Sequence, residues 1–224
     1  MQSVNKQPLV CFDIDGTLIQ QSPWGVFLRS TQIDARKRRL ALPSIYVLVG
    51  LRQSKLLPET IFRRWWVHLM ATLLKGKTHA ELEIIFRETV ETFLSTAVVR
   101  KVIVDRLKDH RQQGMHILLA SGLLEDFAKA FAYYWGADDA VGTRLAFDDH
   151  GYCTGRILGN ICVGTTKRAY VEAFVAENGL DVQANYADSA TDIPFLQLSN
   201  QPVATFPDKR LYQHALAHNW EIIQ

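Results

Sequence analysis

Four polar clusters in this 224-residue chain hold side chains able to do chemistry. Asp13 and Asp15 stand in DIDGT, Ser121 in ASG, Lys167 in GTTKR, and Asp188 with Asp192 in YADSATD. Two carboxylates spaced by two residues at a strand end point the same way if the extended geometry continues. That arrangement suits a nucleophile with an acid/base partner, or two metal contacts. Each cluster also has a plain structural reading. Asp-Gly is a common turn, Ser-Gly a helix cap, Lys167 a solvated helix residue, and Asp188 with Asp192 a pair of caps.

The elements that must position these groups alternate along the chain. Leu9 to Ile14 is an apolar run ending in a carboxylate, which predicts a buried first strand. From Gln20 to Leu94 strand signals are few, and Ile61, Trp65, Leu69 and Leu73 recur at helical spacing, which predicts a helical insert. A helix with Val99, Val102, Ile103 and Leu107 then runs to Gly114, His116 to Ala120 reads as a strand, and Leu123 to Trp135 as a helix. TRLAF and GYCTGRI read as strands or a hairpin, Thr165 to Glu177 as a helix, and Ala184 to Ala187 and Pro202 to Phe206 as further strands. Strands alternating with helices predict an α/β fold, a parallel sheet covered on both faces with its ligand site beyond the carboxyl ends of the strands.

Composition narrows the classes. Hydrophobic residues at 48% and charged residues at 21% belong to a folded globular chain, and the length suits one domain plus an insert. A net charge of +2, from 25 basic and 23 acidic residues, supplies no general field for polyanions, so no nucleic-acid partner is expected. Cys11, Cys153 and Cys162 form no C-x-x-C pair, which excludes a zinc knuckle or disulfide framework and fits a reducing cytoplasm. MQSVNKQPLV has no leader pattern, and the 12 residues from Leu40 to Leu51 fall short of the roughly 20 that a spanning helix needs.

Taken together and in this order, CFDIDGTLI, LLASG, Lys167 and YADSATDIPFL resemble the four motifs of the haloacid dehalogenase superfamily. The insert directly after the first motif resembles the subgroup typified by phosphoserine phosphatases, subfamily IB. The resemblance implies a Rossmann-like, doubly wound parallel sheet in a core domain of residues 1–19 and 95–224. A helical C1 cap of residues 20–94 would close over the site. It also implies a Mg²⁺-dependent phosphatase acting on a small phosphorylated metabolite through an aspartyl-phosphate.

In that scheme Asp13 attacks phosphorus, and Asp15 protonates the leaving alkoxide and then deprotonates water. Thr17 orients Asp15, and Ser121 with the Gly122 N–H, at a helix start, hold the phosphoryl oxygens. A phosphate dianion and Asp13 repel by about 4 kcal/mol per unit-charge pair at 4 Å, so cations are required. Asp13, Asp188 and the backbone carbonyl of Asp15 would ligate Mg²⁺, Asp192 would brace them, and Lys167 adds a second positive charge. Phosphoserine phosphatases grip the substrate amino group with an acidic residue nine positions after the nucleophile, where this chain has Ser22.

Other features compete for attention. DIDGTLIQQSPWGVFLR and the Arg-rich, apolar insert also resemble bacterial phosphatidylglycerophosphatases, so a lipid head-group phosphate is the alternative substrate. A phosphotransferase and a non-catalytic phospho-ligand-binding protein are further alternatives. Arg36, Lys37, Arg38 and Arg39 form a basic run before Leu40 to Leu51, read either as a solvated helix end or as weak peripheral attachment to anionic lipid. Trp24, Trp65 and Trp66 suit a pocket lining or packing of the insert, and His214 and His218 read as surface helix residues, not metal ligands.

Overall fold

The computed structural model describes residues 6–224; residues 1–5, at the head of the segment read as lacking a leader, lie outside the described residues. The first strand, β1 (Gln7–Phe12), delivers Asp13 just past its end. Helices α1 (Trp24–Phe27), α2 (Ala35–Gln53), α3 (Glu59–Leu73) and α4 (His79–Leu94) follow, then α5 (Lys101–Gln112). Next come β2 (His116–Leu124), α6 (Glu125–Trp135), β3 (Asp139–Thr143) and a hairpin of β4 (Leu145–Phe147) with β5 (Cys153–Ile157). The chain ends with α7 (Thr165–Asn178), β6 (Leu180–Ala187), a 3₁₀ turn at Ala190–Asp192, α8 (Ile193–Leu196), β7 (Gln201–Thr205), α9 (Lys209–Ala217) and β8 (Glu221–Ile223).

Six strands form one parallel sheet in the order β3-β2-β1-β6-β7-β8. From β1 the chain winds outward through β2 to β3, then returns to lay β6 on the other side of β1. The direction of winding therefore switches between β1 and β6, where an open α/β sheet leaves a crevice. Alternation along β1 divides its side chains between the faces: Val10 and Phe12 join one core layer, and Leu9 and Cys11 the other. The first layer continues into the helices between β1 and α5, with Phe86 of α4 stacked on Phe127 of α6 at 4.6 Å. The β4–β5 hairpin is tied to the α3–α4 loop by Gly76 N–H donating to Cys153 O and Cys153 N–H to Lys77 O, each at 2.7 Å.

Several expectations shift. On α3 the side carrying Ile61 and Trp65 is exposed, while Phe62, Met70 and Leu73 are buried. That helix is apolar on two sides, so periodicity alone could not choose which side packs. The strand expected at His116 to Ala120 runs on to Leu124, because Leu124 pairs with Thr143 after a break in register, and α6 begins only at Glu125. TRLAF is split between β3 and β4, and the sequence pattern predicts neither the start of β3 nor β8. Among the described residues no helix is long and apolar enough to cross a membrane.

Candidate active site

The carboxyl ends of β1 and β6 bring Asp13 and Asp188 to one place, and the N-terminal turn of α7 adds Lys167. The Asp13 N–H donates to Tyr186 O of β6 at 2.9 Å, which fixes its backbone. The Lys167 ammonium, buried, donates to Asp13 Oδ1 and to Asp192 Oδ1, each at 2.8 Å. Burial opposes the lysine's charge, but Asp13 and Asp192 outweigh it and hold its pKa above the usual lysine range. Burial raises the Asp13 carboxyl, against the pull of Lys167.

A tight turn after Asp13 sets the second carboxylate. Thr17 N–H and Leu18 N–H both donate to Ile14 O, at 3.3 and 3.0 Å, and Gly16 sits at φ +84°. A Cβ on Gly16 would lie 2.0 Å from Asp188 Oδ2, so glycine is required by both conformation and space. Burial, then the charge of Asp13, pushes the Asp15 carboxyl up to about 7, and its buried Oδ1 has no hydrogen-bond partner. Asp188 is pushed up to about 8 by burial and by Asp13 and Asp192. Asp13, Asp188 and Asp192 each present an oxygen within 4.8 Å of the others.

These groups open onto a cavity of about 330 Å³ whose opposite wall comes from the helices, with Ser22, Trp24, Arg63 and Trp66 among its residues. Arg63 faces the carboxylates, and its Nε donates to Glu59 Oε1 at 3.2 Å. Glu59 also takes two bonds from Arg52, at 3.0 and 3.2 Å, and all three residues line the cavity. The i,i+4 pair Glu59–Arg63 is visible in ETIFRRWW, but its approach to Asp13 is a product of tertiary packing and was missed. Arg100 was missed as well; its Nε donates to Gly16 O at 2.8 Å and its guanidinium lies 3.7 Å over the Phe206 ring.

Three expected roles look different in place. The Thr17 hydroxyl donates to Asp13 Oδ2 at 3.3 Å rather than to Asp15, because the turn folds residue 17 back beneath the first carboxylate; Thr205 donates to Thr17 in turn at 3.5 Å. Gly122 lines the cavity but lies within β2, not at a helix start, and its carbonyl accepts from Thr143 at 3.0 Å. Ser121 is fully buried and is not part of the cavity wall, its Oγ accepting the Leu123 N–H at 3.2 Å. Of the tryptophans, Trp24 and Trp66 line the cavity, and Trp65 points to the outer side of α3. His214 and His218 stack at 3.9 Å away from the acidic cluster.

The haloacid dehalogenase-like hydrolase family model matches residues 10–197. The chain belongs to that family. Phosphoserine phosphatase SerB1 of Mycobacterium tuberculosis is 30% identical over 66% of this chain, which spans 48% of that relative. A histidinol-phosphatase of Neisseria meningitidis is 24% identical over 96% of this chain and 97% of its own length. A crystal structure of a Bordetella pertussis protein of unknown function superposes with a TM-score of 0.78 at 24% identity, covering 98% of this chain and 99% of that one. The chain is thus a haloacid dehalogenase-like hydrolase whose relatives include named phosphatases.

Proposed function

We propose that this hydrolase removes phosphate from the monoester of a small metabolite, with Mg²⁺ and through an aspartyl-phosphate on Asp13. The observation that carries the reading is one carboxylate fixed by Lys167 and Thr17 beside a second whose pKa lies at about 7, both facing one cavity. Asp13 attacks phosphorus and the ester P–O bond breaks. Protonated Asp15 gives its proton to the departing alkoxide, then takes one from the water that cleaves the acyl phosphate. Lys167 and Arg63 offer positive charge to the phosphoryl oxygens. Ser121 Oγ accepts the Leu123 N–H behind the cavity wall and in this structure supports the β2 end rather than facing the phosphoryl site.

The donor set fits a hard dication. Five carboxylates, Asp13, Asp15, Glu59, Asp188 and Asp192, and three cations, Arg52, Arg63 and Lys167, line the cavity, an excess of two negative charges when all are ionised. Asp13, Asp188 and the Asp15 carbonyl would hold Mg²⁺, braced by Asp192, and the ion would supply positive charge against the phosphoryl group.

Residues 20–94 act in this reading as a cap that selects the substrate. Ser22 on the cavity wall offers no charge to an ammonium, and Glu59 is already engaged by two arginines, so L-phosphoserine is expected to rank below other phosphorylated metabolites by kcat/KM. Three buried free thiols, Cys11, Cys153 and Cys162, favour a reducing cytoplasm as the setting. The test is acid quenching during turnover of a radiolabelled substrate. Label should appear on the wild-type protein with Mg²⁺, vanish with EDTA and vanish in Asp13→Asn; near-wild-type turnover by Asp13→Asn would overturn the reading.

A further inference from the structure

Helices α2 and α3 line the catalytic cavity with one side and leave another side bare. Arg36, Leu40, Pro43, Val47 and Leu51 share a stripe along α2 by their spacing. Pro43, Val47 and Leu51 face Trp65, Leu69 and Thr72 of α3 across an open groove of about 910 Å³. Leu40 is 73% exposed, Val47 60% and Trp65 51%, a contiguous apolar face rather than scattered single residues.

The charge around this face is largely positive: Asp34 caps the start of α2 and Glu59 pairs with Arg52, but no acidic residue lines the groove. Helix α2 contains Arg36, Lys37, Arg38, Arg39 and Arg52 and no acidic residue, and Arg64 and His68 join the groove wall. Lys37 and Arg38 are turned inward, Lys37 donating to Lys75 O and Arg38 to Leu28 O at 3.3 Å and Ser30 O at 3.2 Å. Arg36, Arg39 and Arg64 stay exposed and make no ion pair among the described residues. A two-fold pairing with a second copy would bring two sets of these arginines into one interface with no acidic residue in the groove to neutralise them, which argues against self-association. Apolar side chains including tryptophan, bordered by arginines, are what a helix lying in a lipid head-group region presents.

We propose that the outer face of α2 and α3 docks on an anionic bilayer surface. Leu40, Val47 and Trp65 enter the head-group region, and Arg36, Arg39 and Arg64 meet lipid phosphates. The face lies on the membrane without crossing it, as neither helix is long and apolar enough to span. The inference is independent of the chemistry proposed for the cavity.

The full chain would be sedimented with vesicles of phosphatidylcholine alone and of phosphatidylcholine with phosphatidylglycerol, across a salt series. Binding is expected only to the anionic vesicles and should fade as salt rises. Tryptophan emission should shift to the blue on binding, and Trp65→Phe should remove most of that shift. Val47→Asp and the double variant Arg36→Glu/Arg39→Glu should each weaken partitioning by roughly tenfold or more. Hydrolysis of p-nitrophenyl phosphate should be unchanged in both, since none of these residues lines the catalytic cavity. Failure to bind anionic vesicles at low salt, equal binding to neutral ones, or undiminished binding by the arginine variant would each overturn the proposal. So would a dimer that Val47→Asp dissolves in the absence of any vesicle binding. Should Val47→Asp fail to fold, the arginine pair on the exposed first turn still decides the question.

Discussion

Asp13 has an ammonium 2.8 Å from Oδ1 and a hydroxyl 3.3 Å from Oδ2, whereas Asp15, two residues on, has a buried Oδ1 with no partner. In the proposed reaction these environments would suit the two neighbouring carboxyls to different tasks, Asp13 to attack and Asp15 to proton transfer. Asp15→Asn should slow release of an alkyl alcohol by roughly 10² to 10⁴-fold, the usual share of a general acid and base. With p-nitrophenyl phosphate the first step should lose far less, because that leaving group departs without a proton. Single-turnover rates on the two esters would show the split, and equal losses on both would remove Asp15 from the acid role. The wild-type rate on the alkyl ester should fall at alkaline pH, where Asp15 gives up its proton. The carboxylates of DIDGT and YADSATD were legible in the sequence because each cluster follows an apolar strand run, whereas Lys167 follows a loop and a Gly-Thr-Thr turn and reaches Asp13 only through the fold. The partner of Thr17 was not legible either, because only the fold of the turn decides which carboxylate lies within its reach.

The turn between β1 and the helices is the element on which the site depends. Gly16 combines φ +84° with an approach to Asp188 that leaves no room for a methyl group. In Gly16→Ala the Cβ would overlap the Asp188 carboxylate, and the left-handed conformation alone costs about 1 kcal/mol. Asp188 must then move, so Mg²⁺ affinity should drop about 10 to 100-fold, the range seen when a ligand loses its orientation. Titrating activity with Mg²⁺ would show recovery at high metal, whereas a loss that metal cannot repair would point to collapse of the turn itself. At this scale the sequence was less complete. Strands β3 and β8 are short edge strands, and β2 runs on through Ser121 and Gly122 to Leu124, where it pairs with Thr143 after a shift in register that the sequence pattern does not announce. On α3 the pattern ETIFRRWWVHLM has apolar residues on two sides, so it could place Trp65 and Trp66 but not tell which of them would meet the cavity.

For the whole molecule, the sheet order decides what the site costs. Alternating elements predicted a parallel sheet, but the adjacency of β1 and β6 that crowds Asp13, Asp188 and Asp192 together belongs to the three-dimensional winding. Unfolded, Asp15 and Asp188 would titrate near about 3.9. In the metal-free native protein they titrate at about 7 and about 8. Their folded pKa values are raised, so between those limits the native state holds protons that the unfolded chain has released. The stability they favour is present below about pH 4 and is lost as pH rises through about 7 to 8. In EDTA the melting temperature should therefore fall between about pH 5 and pH 8, by on the order of 10 °C for a chain of this size. Mg²⁺ should restore it at the alkaline end by binding only the folded form. Asp188→Asn removes one of the crowded charges, so its metal-free form should melt higher than wild type at about pH 8 while losing most of its response to Mg²⁺. Thermal scans at several pH values, with and without metal, make the comparison. A metal-free melting temperature that stays flat or climbs across this range would show that the crowded carboxylates are neutralised by something other than the bound ion.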